Sequence, residues 1–162
     1  MEKQEDKTHP QQVKPSGRGG ATLTTIGKEN TYLLVGGGDR QPMEFGDLWL
    51  LKVVGEETGD IEKIKFGWKK LPDEDQFKPR TGHSAVYDGG YIWIFGGQSF
   101  RQNSHTNELW RFNCETYKIE RLETQGAPKG RNSHGCCVDP KNHQMYVYGG
   151  ANDQGLLKDF FR

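Results

Sequence analysis

The chain has 162 residues, and its 22 basic side chains balance 22 acidic ones, for a formal charge of zero. That balance, with no long run of one sign, argues against nucleic acid and against an anionic membrane surface as partners. Glycine, at 22 residues, is at roughly twice its usual share of about 7%, which suits an all-β protein with many tight turns better than a helical one.

In chain order, residues 1–16 contain no apolar segment and read as a solvated, disordered tail rather than a secretory signal. No later apolar run approaches the roughly 18 residues of a membrane helix. From Arg18 onward the chain repeats itself. An arginine with small and polar neighbours opens each copy: RGGAT at Arg18, RTGHSA at Arg80 and RNSHGC at Arg131. A strand ending in Gly-Gly follows, as YLLVGGGDR from Tyr32, YIWIFGGQSF from Tyr91 and MYVYGGAND from Met145. Then comes an acidic residue before two large apolar ones: Asp47 in DLW, Glu108 in ELW and Asp159 in DFF.

The spacing holds this alignment together. The first glycines, Gly36, Gly96 and Gly149, lie 18, 16 and 18 residues after their arginines, and the acids follow them by 11, 12 and 10. The first two copies close on an apolar-x-x-Leu, Trp68 to Leu71 and Ile119 to Leu122. Only the step from the acid to that closing strand disagrees, by ten residues, so an insertion sits within VVGEETGDIEKIK. A period of about 50 residues holding four short strands fits a β-propeller blade. In the second copy those strands are HSAVYD, YIWIFGG, ELWRFN and YKIERLE. The blades are expected at about 17–74, about 78–125 and, incomplete, about 128–162.

Taken together, the arginine with its small-residue cluster, the apolar strand into Gly-Gly, the downstream large apolar pair and the later Trp resemble Kelch repeats, over about residues 16–162. The third copy departs from the pattern with DFF, and the first lacks the histidine found three residues after Arg80 and Arg131. The resemblance implies an all-β Kelch-type propeller with four antiparallel strands per blade. It also implies a non-catalytic protein–protein interaction scaffold or adaptor, as in ubiquitin-ligase adaptors, cytoskeletal binders and small-GTPase effectors. In such a blade YIWIF is apolar on both faces because neighbouring blades cover both. Gly-Gly then turns the chain where no Cβ fits. Trp49, Trp68, Trp93 and Trp110 are expected to fill the gaps between blades.

Other chemistries find little support. His83 and His134 lack the further ligands a metal needs, and are expected to cap strand ends or bond neighbouring carbonyls. Arg18, Arg80 and Arg131 could bind an anion near the axis, but are expected to hold carbonyls and carboxylates such as Asp47 and Glu108 inside the blades. There is no phosphate-binding loop and no nucleophile elbow. Kelch-like copper oxidases use Tyr, His and Cys ligands, yet no arrangement here gathers them, so no cofactor is expected. Cys114, Cys136 and Cys137 form no framework, which places the chain in a reducing compartment, the cytoplasm or, by diffusion, the nucleus. Cys136 and Cys137 are expected to be packing residues in an inner strand.

Binding is expected in the long loops of one face, GDRQPMEFG, QSFRQNSHTN and ANDQGLLK. Arg40, Phe45, Phe100 and Arg101 are the expected anchors for a protein partner, with Phe77 an alternative. A closed propeller takes about four to eight blades, more than this chain supplies. The alternative reading is therefore a fragment of a longer propeller, or a subunit that completes a ring by associating with another chain, including a second copy of itself.

Overall fold

A computed structural model of the chain describes residues 13–40, 43–55 and 64–162. Most of the expected tail, 1–12, and most of the expected insertion, 56–63, lie outside the described residues. Among the described residues every regular element is a strand.

Blade 1 is a four-stranded antiparallel sheet of β1 (Thr22–Thr25), β2 (Thr31–Val35), β3 (Leu48–Val54) and β4 (Lys65–Lys70), in that order. Blade 2 begins with β5 (Ser84–Asp88) and β6 (Tyr91–Phe95). A small hairpin, β7 (Gln98–Ser99) with β8 (Ser104–His105), interrupts it before β9 (Leu109–Asn113) and β10 (Ile119–Leu122) complete the sheet. Blade 3 pairs β11 (Gly135–Asp139) with β12 (Gln144–Tyr148), and a second hairpin follows, β13 (Ala151–Asn152) with β14 (Gly155–Leu156). Its third strand is β15 (Phe160–Phe161), against β12. The first strands β1, β5 and β11 lie side by side, so the blades stack in chain order.

Local chemistry sets the turns. Asp88 pairs with Tyr91, so Gly89 and Gly90 form a two-residue hairpin turn with φ of +57° and +85°. Both central residues of such a turn need positive φ, which glycine adopts without a Cβ penalty. At the β9–β10 turn the Asn113 carboxamide oxygen accepts the N–H groups of Glu115 and Thr116, each at 2.9 Å, and its backbone carbonyl accepts the Tyr117 N–H at 2.8 Å.

The main core lies between blades 1 and 2. Leu33, Val35, Leu48 and Leu50 of blade 1 meet Ile92, Ile94, Trp110 and Phe112 of blade 2, with Leu71 and Phe77 from the connecting segment. Burying each such side chain contributes about 1.5–3 kcal/mol. Within YIWIF, Ile92 and Ile94 are fully buried on this face, whereas Tyr91 and Trp93 on the other are half-buried. Blade 3 brings three strands against that second face where blade 1 brings four to the first. The expected role of the tryptophans is corrected in part. Trp110 is buried between blades 1 and 2, but Trp49 is buried beside Leu34 on the other face of blade 1. Trp68 sits half-buried on the outer strand β4, and Trp93 leans on Tyr91 at 6.2 Å.

Candidate functional site

Each blade is closed by an arginine staple. Arg18 donates to both Asp47 oxygens, at 2.5 and 3.2 Å, and to the Gly36 carbonyl at 2.9 Å. Arg80 donates to Glu108 at 2.8 Å and to the Gly96 carbonyl at 3.3 Å. Arg131 holds both Asp159 oxygens, at 2.6 and 2.9 Å, and the Gly149 carbonyl at 2.9 Å. An aromatic ring faces each guanidinium: Phe45 at 4.2 Å, Phe77 at 4.5 Å and Phe161 at 5.4 Å. Burial pushes the Asp47 and Glu108 carboxyls up, but hydrogen bonds from arginine and tryptophan outweigh it and hold both below their ordinary values. These arginines are occupied inside the blades, as the sequence reading favours, and present nothing to an anion.

The joints between blades repeat as well. The Gly37 N–H donates to the Arg80 carbonyl at 2.9 Å, and the Gly97 N–H to the Arg131 carbonyl at 2.8 Å. Gly36 and Gly96, with φ of +54° and +70°, pass so close that a Cβ would lie 2.7 Å from the Arg80 oxygen and 2.8 Å from the Arg131 oxygen. Nearer the axis, Gly82 N–H donates to the Gly20 carbonyl at 2.9 Å, and Ser133 N–H to the Gly82 carbonyl at 2.8 Å.

The histidines belong to these joints. His83 Nε2 meets the Thr22 hydroxyl at 2.9 Å, and His134 Nε2 meets the Ser84 hydroxyl at 2.8 Å, each across a blade boundary. Each stands just before a strand, as one of the two expected roles has it, but a hydroxyl takes the place of the expected carbonyl because the side chain four residues after the preceding arginine points into the joint. Burial, reinforced by neighbouring Arg80 and His134, lowers His83 to about 3. Burial and Arg131 lower His134 to about 4. Both imidazoles are neutral at pH 7.

The long loops lie together on one face, above the staples. Glu44, in the β2–β3 connection, is 5% exposed and reaches across to blade 2. It accepts the Ser99 hydroxyl at 2.5 Å and the Arg101 N–H at 3.1 Å. Burial raises its carboxyl, but those two donors and the Arg101 charge bring it below the ordinary value. Sequence reasoning missed Glu44, since an acid in a polar loop carries no signal of burial. Of the expected anchors, Arg40 and Arg101 are exposed on this face and Phe100 is half-buried between the strapped residues. Phe45 is instead engaged beneath Arg18, and Phe77 is buried edge-on against Trp110 at 5.2 Å. Between the hairpins of blades 2 and 3 runs a polar cleft of about 360 Å3, lined by Asn103, His105, Lys129, Asn152 and Gln154 among others.

Among the described residues, no three His, Cys, Asp or Glu side chains gather as metal ligands would. All three cysteines are unpaired. Cys114 is buried, and desolvation lifts its thiol to about 11. Cys136 is half-buried and Cys137 exposed, so only the first packs as expected.

Residues 2–162 match the family model described as the KLHDC2/KLHL20/DRC7 Kelch-repeats domain. The chain is 31% identical to the F-box/kelch-repeat protein At1g51550 of Arabidopsis thaliana, over 89% of this chain and 33% of that protein. It is 33% identical to dynein regulatory complex subunit 7 of Chlamydomonas reinhardtii, over 65% of this chain and 9% of that protein. It is 26% identical to Kelch repeat-containing protein 2 of Saccharomyces cerevisiae, over 78% and 15%. The chain thus spans a third or less of the length of these relatives. The solved structure of YjhT superposes with a TM-score of 0.66 at 17% identity, over 89% of this chain and 42% of that one, a likeness of fold. With the repeats, the staples and the family match in agreement, the chain belongs to the Kelch-repeat family.

Proposed function

We propose that the chain is a non-catalytic protein-interaction module that binds a protein partner through the loops of one face, as a scaffold or adaptor would. The reading rests on the Glu44 strap. A buried carboxylate ties the blade 1 loop to the blade 2 loop and so fixes the backbone that carries Phe100 and Arg101. A loop held this way loses less conformational freedom on binding, which favours affinity. Arg40, Phe100 and Arg101 supply the residue types that dominate interface hot spots. The repeated histidines and arginines are engaged in structure, which supports a role without catalysis. Three unpaired cysteines support a cytoplasmic setting.

The test is a comparative affinity capture from cytoplasmic extract. A triple variant, Arg40→Ala with Phe100→Ala and Arg101→Ala, is expected to lose specific partners that the parent chain retains. A control altered on the opposite face, Lys118→Ala with Lys141→Ala, is expected to keep them. Equal capture by all three proteins would sink the loop-face reading.

A further inference from the structure

The cleft between blades 2 and 3 is walled by the two hairpins that follow the glycine pairs of successive copies, β7–β8 and β13–β14. Its side chains are held in place. Asn152 donates to the Gly130 carbonyl at 3.2 Å and accepts the Gln154 N–H at 2.9 Å. The Lys129 ammonium donates to the Gln154 carboxamide oxygen at 2.9 Å. Asn132 ties the two walls further, since its Nδ2 donates to the Gln98 carboxamide oxygen and lies 3.4 Å from His105 Nε2. A Cβ on Gly130 would strike the His105 carbonyl, so only glycine lets the connecting segment pass there.

Other groups of the lining remain open. Among the described residues no hydrogen bond occupies the Asn103 carboxamide, the Ser104 hydroxyl, the Asp153 carboxylate or the NH2 of Gln154. These are donors and acceptors in mixture. One ammonium and one carboxylate, Lys129 and Asp153, favour neither sign of charge. No aliphatic, Phe, Tyr or Trp side chain lines the cleft, so a small molecule of the usual apolar kind gains little there. A polypeptide main chain fits the set. Every residue other than proline brings one N–H and one C=O, and each needs a partner once an interface buries it.

The cleft also continues the loop face. The Asn103 N–H donates to the Phe100 carbonyl at 3.3 Å and closes the turn that displays Phe100 and Arg101. Asn103 takes a left-handed φ of +46° there, which asparagine tolerates better than most residues. We propose that an extended segment of the protein partner crosses this cleft and is bound through its main chain, beside the contact made by Phe100 and Arg101. The proposal rests on the loop-face reading and adds to it the place and chemistry of a second contact. Walls fixed before binding lose little freedom when the segment enters.

Random peptides displayed on phage and selected on the immobilised chain are the probe. The recovered sequences, synthesised with a fluorophore, are followed by anisotropy. Asn103→Gly with Gln154→Ala alters exposed side chains alone, and an unchanged urea midpoint certifies its fold. Affinity for the selected peptides should fall at least tenfold in this variant. Methylating single amide nitrogens of a peptide should cost tenfold where alanine substitution at the same residue costs less than twofold. In the parent chain the carboxamide NH2 resonances of Asn103 and Gln154 should shift on binding, a readout that needs no variant. Absent shifts, no enriched peptide, or tolerance of N-methylation throughout would each overturn the proposal. Affinity kept by the cleft variant but lost with Arg40→Ala, Phe100→Ala and Arg101→Ala combined overturns it and leaves the loop-face reading standing. Affinity kept by both variants overturns the two together.

Discussion

Arg80 and Trp110 meet on one atom: the guanidinium Nη2 and the indole Nε1 both donate to Glu108 Oε2, at 2.8 and 3.0 Å. The Arg80 side chain is 3% exposed, so its charge depends on that carboxylate. Glu108→Ala should therefore cost about 3–5 kcal/mol, the range for breaking a buried pair from one side. Asp73, paired with Lys70 at 2.8 Å in solvent, is the comparison. Asp73→Ala should cost no more than about 1 kcal/mol. Arg80 also donates its Nε–H to the Lys78 carbonyl at 3.2 Å. Urea unfolding of both variants checks the contrast, and similar losses would mean that the Gly96 and Lys78 carbonyls satisfy Arg80 alone.

The glycine pairs predict a second contrast. Gly96 and Gly126 have nearly equal φ, +70° and +67°, so alanine strains the backbone alike at both. At Gly96 the new Cβ also meets the Arg131 carbonyl at 2.8 Å, whereas at Gly126 nothing lies within 4 Å. Gly126→Ala should cost about 1 kcal/mol of strain, within the range of about 1–3 kcal/mol for such positions, and Gly96→Ala clearly more. Equal shifts in the unfolding midpoint would show that blade 3 yields freely at this joint.

What the sequence made legible was the interior of a blade. The strands, the turning glycines and the arginine–acid staples recur at fixed spacing, and a fixed spacing within one sheet means a fixed geometry. The contacts between blades were harder to read, because they join unlike positions of successive copies. His83 finds Thr22 across 61 residues. The clue lay in two columns of the alignment read diagonally, a hydroxyl four residues after one arginine and a histidine three after the next. Glu44 had no such clue. It does not recur in the other copies, and only the folding of two loops onto each other buries it.

That burial carries a third prediction, on dynamics. Glu44→Ala removes the acceptor for the Ser99 hydroxyl and the Arg101 N–H. Amide exchange across residues 98–105 should accelerate at least tenfold, while the strands of blade 2 keep their protection, because local opening does not require global unfolding. Glu44→Gln retains an acceptor oxygen and should fall between the two. Unchanged exchange at Arg101 would refute the strap.

The joints make stability depend on pH in a window set by the histidines. An unfolded histidine takes up a proton near pH 6.5, whereas folded His83 resists until about 3 and folded His134 until about 4. Between those limits the unfolded state binds more protons, so stability is full above about pH 6.5 and falls as the pH drops. By pH 5 the loss should reach about 2 kcal/mol per histidine at most, from 1.36 kcal/mol per unit over the interval below 6.5. The depressed carboxylates, Asp47 and Glu108 among them, begin to protonate only at lower pH, so a comparison of pH 7 with pH 5 isolates the imidazoles. In the double variant His83→Gln with His134→Gln the amides can still reach Thr22 and Ser84 but do not titrate. Its urea midpoint should change much less between pH 7 and pH 5 than that of the parent chain. If both proteins lose stability equally, the acid sensitivity arises elsewhere and the imidazoles are not held neutral between the blades.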